Sequence, residues 1–130
     1  MKSTNDKFIS IKAGKVHVLA ELNDSPTAIA ISDALPIKGQ VNRWGGEIYF
    51  SIPISAELES DSREVLEEGE LGYWPPGNAF CIFFGLTPAS QDNEIKATSA
   101  VNIIGKIRGD WSGLWHVQDG DEIVIETADQ

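Results

Sequence analysis

Apolar and polar residues alternate with a period of two along much of this chain, and that period predicts β-strands. Phe8-Ile9-Ser10-Ile11-Lys12 alternates, Ala13-Gly14-Lys15 reads as a turn, and Val16 to Leu22 completes a hairpin. Glu47 to Ile54 sets Ile48, Phe50, Ile52 and Ile54 on one face. Pro53 falls on the other face, where it suits an edge or a bulge. Leu71-Gly72-Tyr73-Trp74 begins another strand, and Pro75-Pro76-Gly77-Asn78 is a rigid turn. Phe80 to Phe84 is an unbroken apolar run, the mark of a strand buried on both faces. Ala100 to Ile107 and Glu122 to Glu126 are the last two strands.

One segment follows a helical period instead. Ser25 or Asp24 suits an N-cap, Pro26 suits the first helical position, and Ala28, Ile31 and Leu35 share a face until Pro36 ends the element. Between the periodic segments, Ala56 to Gly69 carries Glu57, Glu59, Asp61, Glu64, Glu67 and Glu68 against Arg63, which predicts a solvated connection. Gly85 to Ser99 predicts a polar loop, and Gly109 to Trp115 a loop or short helix. Many strands with frequent turns and one helix favour a mainly β fold: a closed antiparallel β-barrel with one or two short helices.

Composition narrows the picture. A chain of 130 residues suits one domain, here residues 1–130, and buries roughly two-thirds of its unfolded surface without disulfide or metal. The formal charge of −10 repels phosphate backbones and anionic lipid, so neither nucleic acid nor membrane is an expected partner. The lone Cys81 cannot form an intrachain disulfide and, inside an apolar run, reads as a small core residue. The N-terminal residues lack the apolar stretch of a leader, and a cytoplasmic setting follows as the expectation. His17 and His116 stand far apart, no metal spacing occurs, and no glycine-rich phosphate loop precedes a helix, so neither metal nor other cofactor is expected.

The candidate chemistry lies in aromatic residues and one cation. Trp44, Trp74, Trp111 and Trp115 all stand beside glycine, proline or loop residues rather than in strand centres. Rings so placed suit the rim of a recognition groove, and Pro75 beside Trp74 stiffens that rim. Phe80 and Phe84 are candidate pocket walls, and Arg43 is the candidate cation beside them.

Two segments make a resemblance specific: Val41-Asn42-Arg43-Trp44-Gly45-Gly46-Glu47-Ile48-Tyr49-Phe50, and Gly72-Tyr73-Trp74-Pro75-Pro76-Gly77-Asn78 running on through Ala79-Phe80-Cys81-Ile82-Phe83-Phe84-Gly85. Together they resemble a family of small prokaryotic cyclophilin-like proteins, mostly uncharacterised, over nearly the whole chain from Phe8 to Glu126. The resemblance implies the cyclophilin-type barrel. More distantly the chain is similar to the cyclophilin peptidyl-prolyl isomerases, in which an arginine polarises the prolyl amide; Arg43 falls in the matching stretch. The glutamine that follows that arginine, the groove histidine (near Ala100 or Val101) and the groove tryptophan have no counterpart here. The resulting expectation is a binding domain for a small molecule or peptide without strong catalysis. Its candidate binding residues are Trp44, Trp74, Pro75, Phe80, Phe84 and Asn102, with Arg43 as the catalytic candidate should isomerase activity exist. An accessory subunit of an amide-processing enzyme is the further alternative, since the same barrel occurs there.

Overall fold

The two alternating stretches at the start of the chain pair as β1 (Phe8–Ala13) and β2 (Val16–Leu22), with Ile11 opposite Val18. The structure is a computed structural model that describes residues 7–128; the N-terminal segment read above for a leader falls largely outside them. The helix α1 (Pro26–Ala34) starts where the cap signal lies, with the Ser25 hydroxyl accepting from the Ala28 N–H, and its buried Thr27, Ala28 and Ile31 face the core. The chain then gives β3 (Ile37–Gln40), β4 (Asn42–Trp44), β5 (Glu47–Ser51), β6 (Arg63–Leu66), β7 (Glu70–Trp74) and β8 (Ala79–Phe83). It closes with the long β9 (Ile95–Arg108), a 3₁₀ turn at Ser112–His116, and β10 (Glu122–Thr127).

All pairings are antiparallel, in the order β3-β10-β1-β2-β9-β7-β8-β5-β4, with β6 attached to β9. The expected closed barrel is met as a curved antiparallel sheet whose hydrogen-bonded path stays open, because β3 and β4 do not pair. They are consecutive instead. One bent segment pairs with β10 through residues 37–40 and with β5 through residues 42–44, with Val41 between them.

Period two sorts the strands into two cores. Ile9, Ile11, Val18, Ala20, Ile48, Phe50, Tyr73, Phe80, Ile82, Ile104, Ile123 and Ile125 meet on the inner face together with Ala28 and Ile31 of the helix. The outer face of β7 and β8 has its own cluster: Ala79, Cys81 and Phe83 beneath Leu66, Ile95, Ala97, Val101 and Ile103. This second cluster accounts for the double burial of β8, all five residues of which are buried.

Two expectations are corrected here. The acidic stretch is not wholly a solvated connection, because Arg63–Leu66 forms β6 and Leu66 is buried in the outer cluster. Arg63 makes a two-pronged ion pair with Glu70, at 3.0 and 2.7 Å, which ties this stretch to the start of β7. The segment 85–99 is not wholly a loop either. β9 begins at Ile95, and its first half folds over the outer face of β8. Among the described residues, no helix is long and apolar enough to cross a membrane, and no three metal-ligating side chains cluster.

Candidate functional site

The outer face carries a pocket lined by aromatic and acidic side chains. Within the sheet, Trp44 on β4 stands opposite Glu47 on β5, Glu47 opposite Phe83 on β8, and Tyr49 opposite Cys81. Cys81 in turn lies opposite Gly72 on β7. Opposed residues on antiparallel strands project to the same side, so these rows place Trp44, Glu47, Tyr49 and Cys81 on one surface. A Cβ on Gly72 would stand 2.8 Å from Val101 Cγ2, so glycine is what lets Val101 settle close over the sheet.

The opposite wall comes from β9. The buried Thr87 hydroxyl donates to the Lys96 carbonyl, and Ser90 Oγ accepts from the N–H groups of Thr87 (2.9 Å) and Lys96 (3.2 Å). These bonds pin the loop to the start of β9 and set Ala97 and Thr98 across from the sheet. Trp74 is tied to the same strand, its indole N–H donating to Ser99 Oγ at 2.7 Å. Trp44, Glu47, Tyr49, Trp74, Cys81, Ala97, Thr98 and Val101 enclose a pocket of about 150 Å³.

Its chemistry centres on a residue that the sequence reading did not select. Glu47 is only 6% exposed, and burial raises its carboxyl from the ordinary 4.5 to about 7, with the neighbouring Cys81 thiol pulling the other way. Cys81 is fully buried; burial first and the neighbouring Glu47 charge second push its thiol well above the ordinary range. A thiol so placed stays protonated and is not a nucleophile.

The residues selected from sequence divide between this pocket and the rest of the molecule. Trp44 and Trp74 line it. Pro75 opens the 3₁₀ turn Pro75–Gly77 directly after Trp74, stiffening the backbone at the pocket's edge without lining it. Phe80 and Phe84 point into the inner core and are 0% and 2% exposed, because Phe80 alternates with Cys81 along β8. Asn102 is fully buried and acts as an internal clamp. Its amide donates to the Glu57 carbonyl (2.9 Å) and Thr27 Oγ1 (3.0 Å), and its oxygen accepts from the Glu59 N–H (2.8 Å).

Arg43 also faces away from the pocket. Its neighbour Trp44 points to the pocket side, and consecutive strand residues alternate. The guanidinium donates to the Val117 carbonyl (2.6 Å), the Trp115 carbonyl (3.4 Å) and the Gly45 carbonyl (3.1 and 2.8 Å). It sits 5.3 Å from the Phe84 ring centre and 5.5 Å from that of Trp115. Those two rings meet edge to face, and Trp115 lies so close over Gly85 that a Cβ there would stand 2.3 Å from it. Arg43 thus joins the turn after β4 to the 3₁₀ segment. Arg43→Ala is expected to lower stability by about 2 kcal/mol, because carbonyls lose a charged donor and two rings lose a cation contact. Thermal melting checks this, and an unchanged midpoint would contradict it.

Comparison with known proteins accords with this architecture. The family model described as Cyclophilin-like matches residues 7–126. The chain is similar to a hypothetical protein from Archaeoglobus fulgidus whose solution structure is known. The two share 43% identity over 98% of each chain, with a TM-score of 0.83. Among curated proteins, none matches the chain.

Proposed function

The chain belongs to the cyclophilin-like family, and we propose that it is a binding domain, taking a small molecule or a short peptide segment between Trp44 and Trp74 without strong catalysis. The observation that carries this reading is the pocket itself: two tryptophans and a tyrosine around a buried carboxyl, backed by a protonated thiol. Apolar walls with one or two polar groups are what small-ligand sites have in common. The walls are held in advance by the Trp74–Ser99 bond and the Thr87–Lys96 contacts, so little ordering is left to oppose binding. We also take the bent segment 37–44 as the seam of a barrel, and the setting as cytoplasmic.

An isomerase would need a cation aimed at the prolyl amide in the pocket. The cation that the family resemblance points to, Arg43, directs its donors to backbone carbonyls on the other side of β4. A proline-isomerisation assay on a short peptide is therefore expected to give a rate no greater than that of an inert protein. A catalysed rate that Arg43→Ala abolishes, with folding intact, would overturn this reading.

Binding is read most directly at the tryptophan indoles. In an NMR screen of small fragments, the Trp44 and Trp74 indole N–H signals are expected to shift together while that of Trp115 stays put. Trp74→Ala should remove these shifts and cost about 1–2 kcal/mol of stability while melting stays cooperative, since the ring is half-buried against the outer cluster. Loss of cooperative melting would instead make Trp74 a core residue and remove the site.

A further inference from the structure

The pocket holds an acidic group that no cation among the described residues answers. Glu47 is more than nine-tenths buried, yet among the described residues every ion pair lies elsewhere, at Lys7–Asp24, Lys12–Glu126, Arg63–Glu70, Lys96–Glu64 and Arg108–Glu21. The Cys81 thiol stands beside it but donates to the Ala79 carbonyl, at 3.7 Å. No fully buried side-chain oxygen among the described residues lacks a partner, so the Glu47 oxygens, which accept no hydrogen bond from the described residues, open onto the pocket. Trp44, Tyr49 and Trp74 complete the surround.

A carboxylate and aromatic rings attract the same kind of ligand. Ring faces carry negative potential, and partial desolvation strengthens the attraction of both for positive charge. The excess of acidic residues, a net charge of −10, draws cations toward the surface. The volume of about 150 Å³ is small beside the ~300–1,000 Å³ of typical ligand clefts, so it suits a compact head group with its tail leaving by the mouth.

We infer that this pocket takes the ammonium head of an organic cation, with Glu47 as the counter-charge. The inference rests on reading the pocket as a binding site. It also carries a pH dependence. The other titratable groups on the lining are Tyr49 from β5 and Cys81 from β8; β4, β7 and β9 contribute Trp44, Trp74, Ala97, Thr98 and Val101, which do not titrate. With the Glu47 carboxyl at about 7, a cation that needs the ionised form binds about tenfold more weakly at pH 6 than at pH 8.

The test is an NMR titration of the full chain with n-butylammonium chloride and, separately, n-butanol, its neutral analogue. At pH 8 butylammonium is expected to shift the Trp44 and Trp74 indole N–H signals with at least tenfold higher affinity than butanol, weakening about tenfold at pH 6. In Glu47→Gln, whose folding is checked by melting, the affinity should fall to that of butanol at both pH values. Butanol binding the native chain as tightly as butylammonium would overturn the cation assignment while leaving the binding pocket standing. No shift at Trp44 or Trp74 with either probe would overturn both. A lysine blocked at both ends tells the source of the cation: tighter binding than butylammonium points to a peptide side chain, weaker binding to a free amine, and both uphold the ammonium class.

Discussion

Glu47→Gln is expected to make the domain more stable at pH 8 and to leave it unchanged at pH 4.5. Burial raises the folded-state pKa of Glu47 from 4.5 to about 7, so the folded form holds a proton that the unfolded chain releases. The stability associated with that proton is fully present below pH 4.5. It is lost as pH rises toward 7, and the loss levels off above the folded value. A separation of that size corresponds to about 3 kcal/mol, on the order of 10 °C in Tm for a domain of this length. Glutamine keeps the shape of the protonated acid and does not titrate. The wild-type and variant melting curves should therefore coincide at pH 4.5 and separate by most of that interval at pH 8. The other carboxylates act alike in both chains and cancel in the comparison. Parallel curves across the whole range would show that Glu47 is not buried as described.

Asn102→Ala should act in the opposite direction and destabilise the domain at every pH. Its side chain, itself fully buried, satisfies Glu57 O, Glu59 N and Thr27 Oγ1 at once. Thr27 extends the arrangement, its N–H and hydroxyl both donating to Glu59 Oε2, at 2.9 and 2.6 Å. Alanine leaves the part-buried Glu59 N–H and Glu57 carbonyl without this partner and opens a small void at a fully buried position, for a loss of about 2–3 kcal/mol. Urea unfolding measures it, and hydrogen exchange at Glu59 locates it. A loss below about 1 kcal/mol would mean that the segment near Glu59 is held by something else.

How much of this was legible in the sequence depended on whether the signal was local. Alternation in Phe8–Leu22, the Ser25–Pro26 start and the apolar run at Phe80 mark their elements because each pattern is complete within a few residues. β6 and the first half of β9 were hidden because their neighbourhoods are polar: Glu64 and Glu67 around one, Asp92, Asn93 and Glu94 before the other. Those strands exist by pairing with each other over the outer face of β8, and that context is long-range.

The site was half legible for the same reason. Trp44 and Trp74 stand out beside glycine and proline, and both line the pocket. Period two already separates Arg43 from Trp44, and Phe80 from Cys81, so a single hollow lined by all of them was excluded in principle by strand geometry. Glu47 shares a face with Tyr49 in the same alternation. Nothing local shows that this face is covered, because the cover comes from Ala97 to Val101, some fifty residues later.

An acidic side chain enclosed by rings and short of a cation is the property that sets this pocket apart, and a ¹³C titration of the Glu47 carboxyl by NMR measures it directly. The predicted midpoint lies near pH 7 and moves downward when butylammonium is added, but not with butanol. A midpoint at the ordinary 4.5, indifferent to either addition, would contradict it.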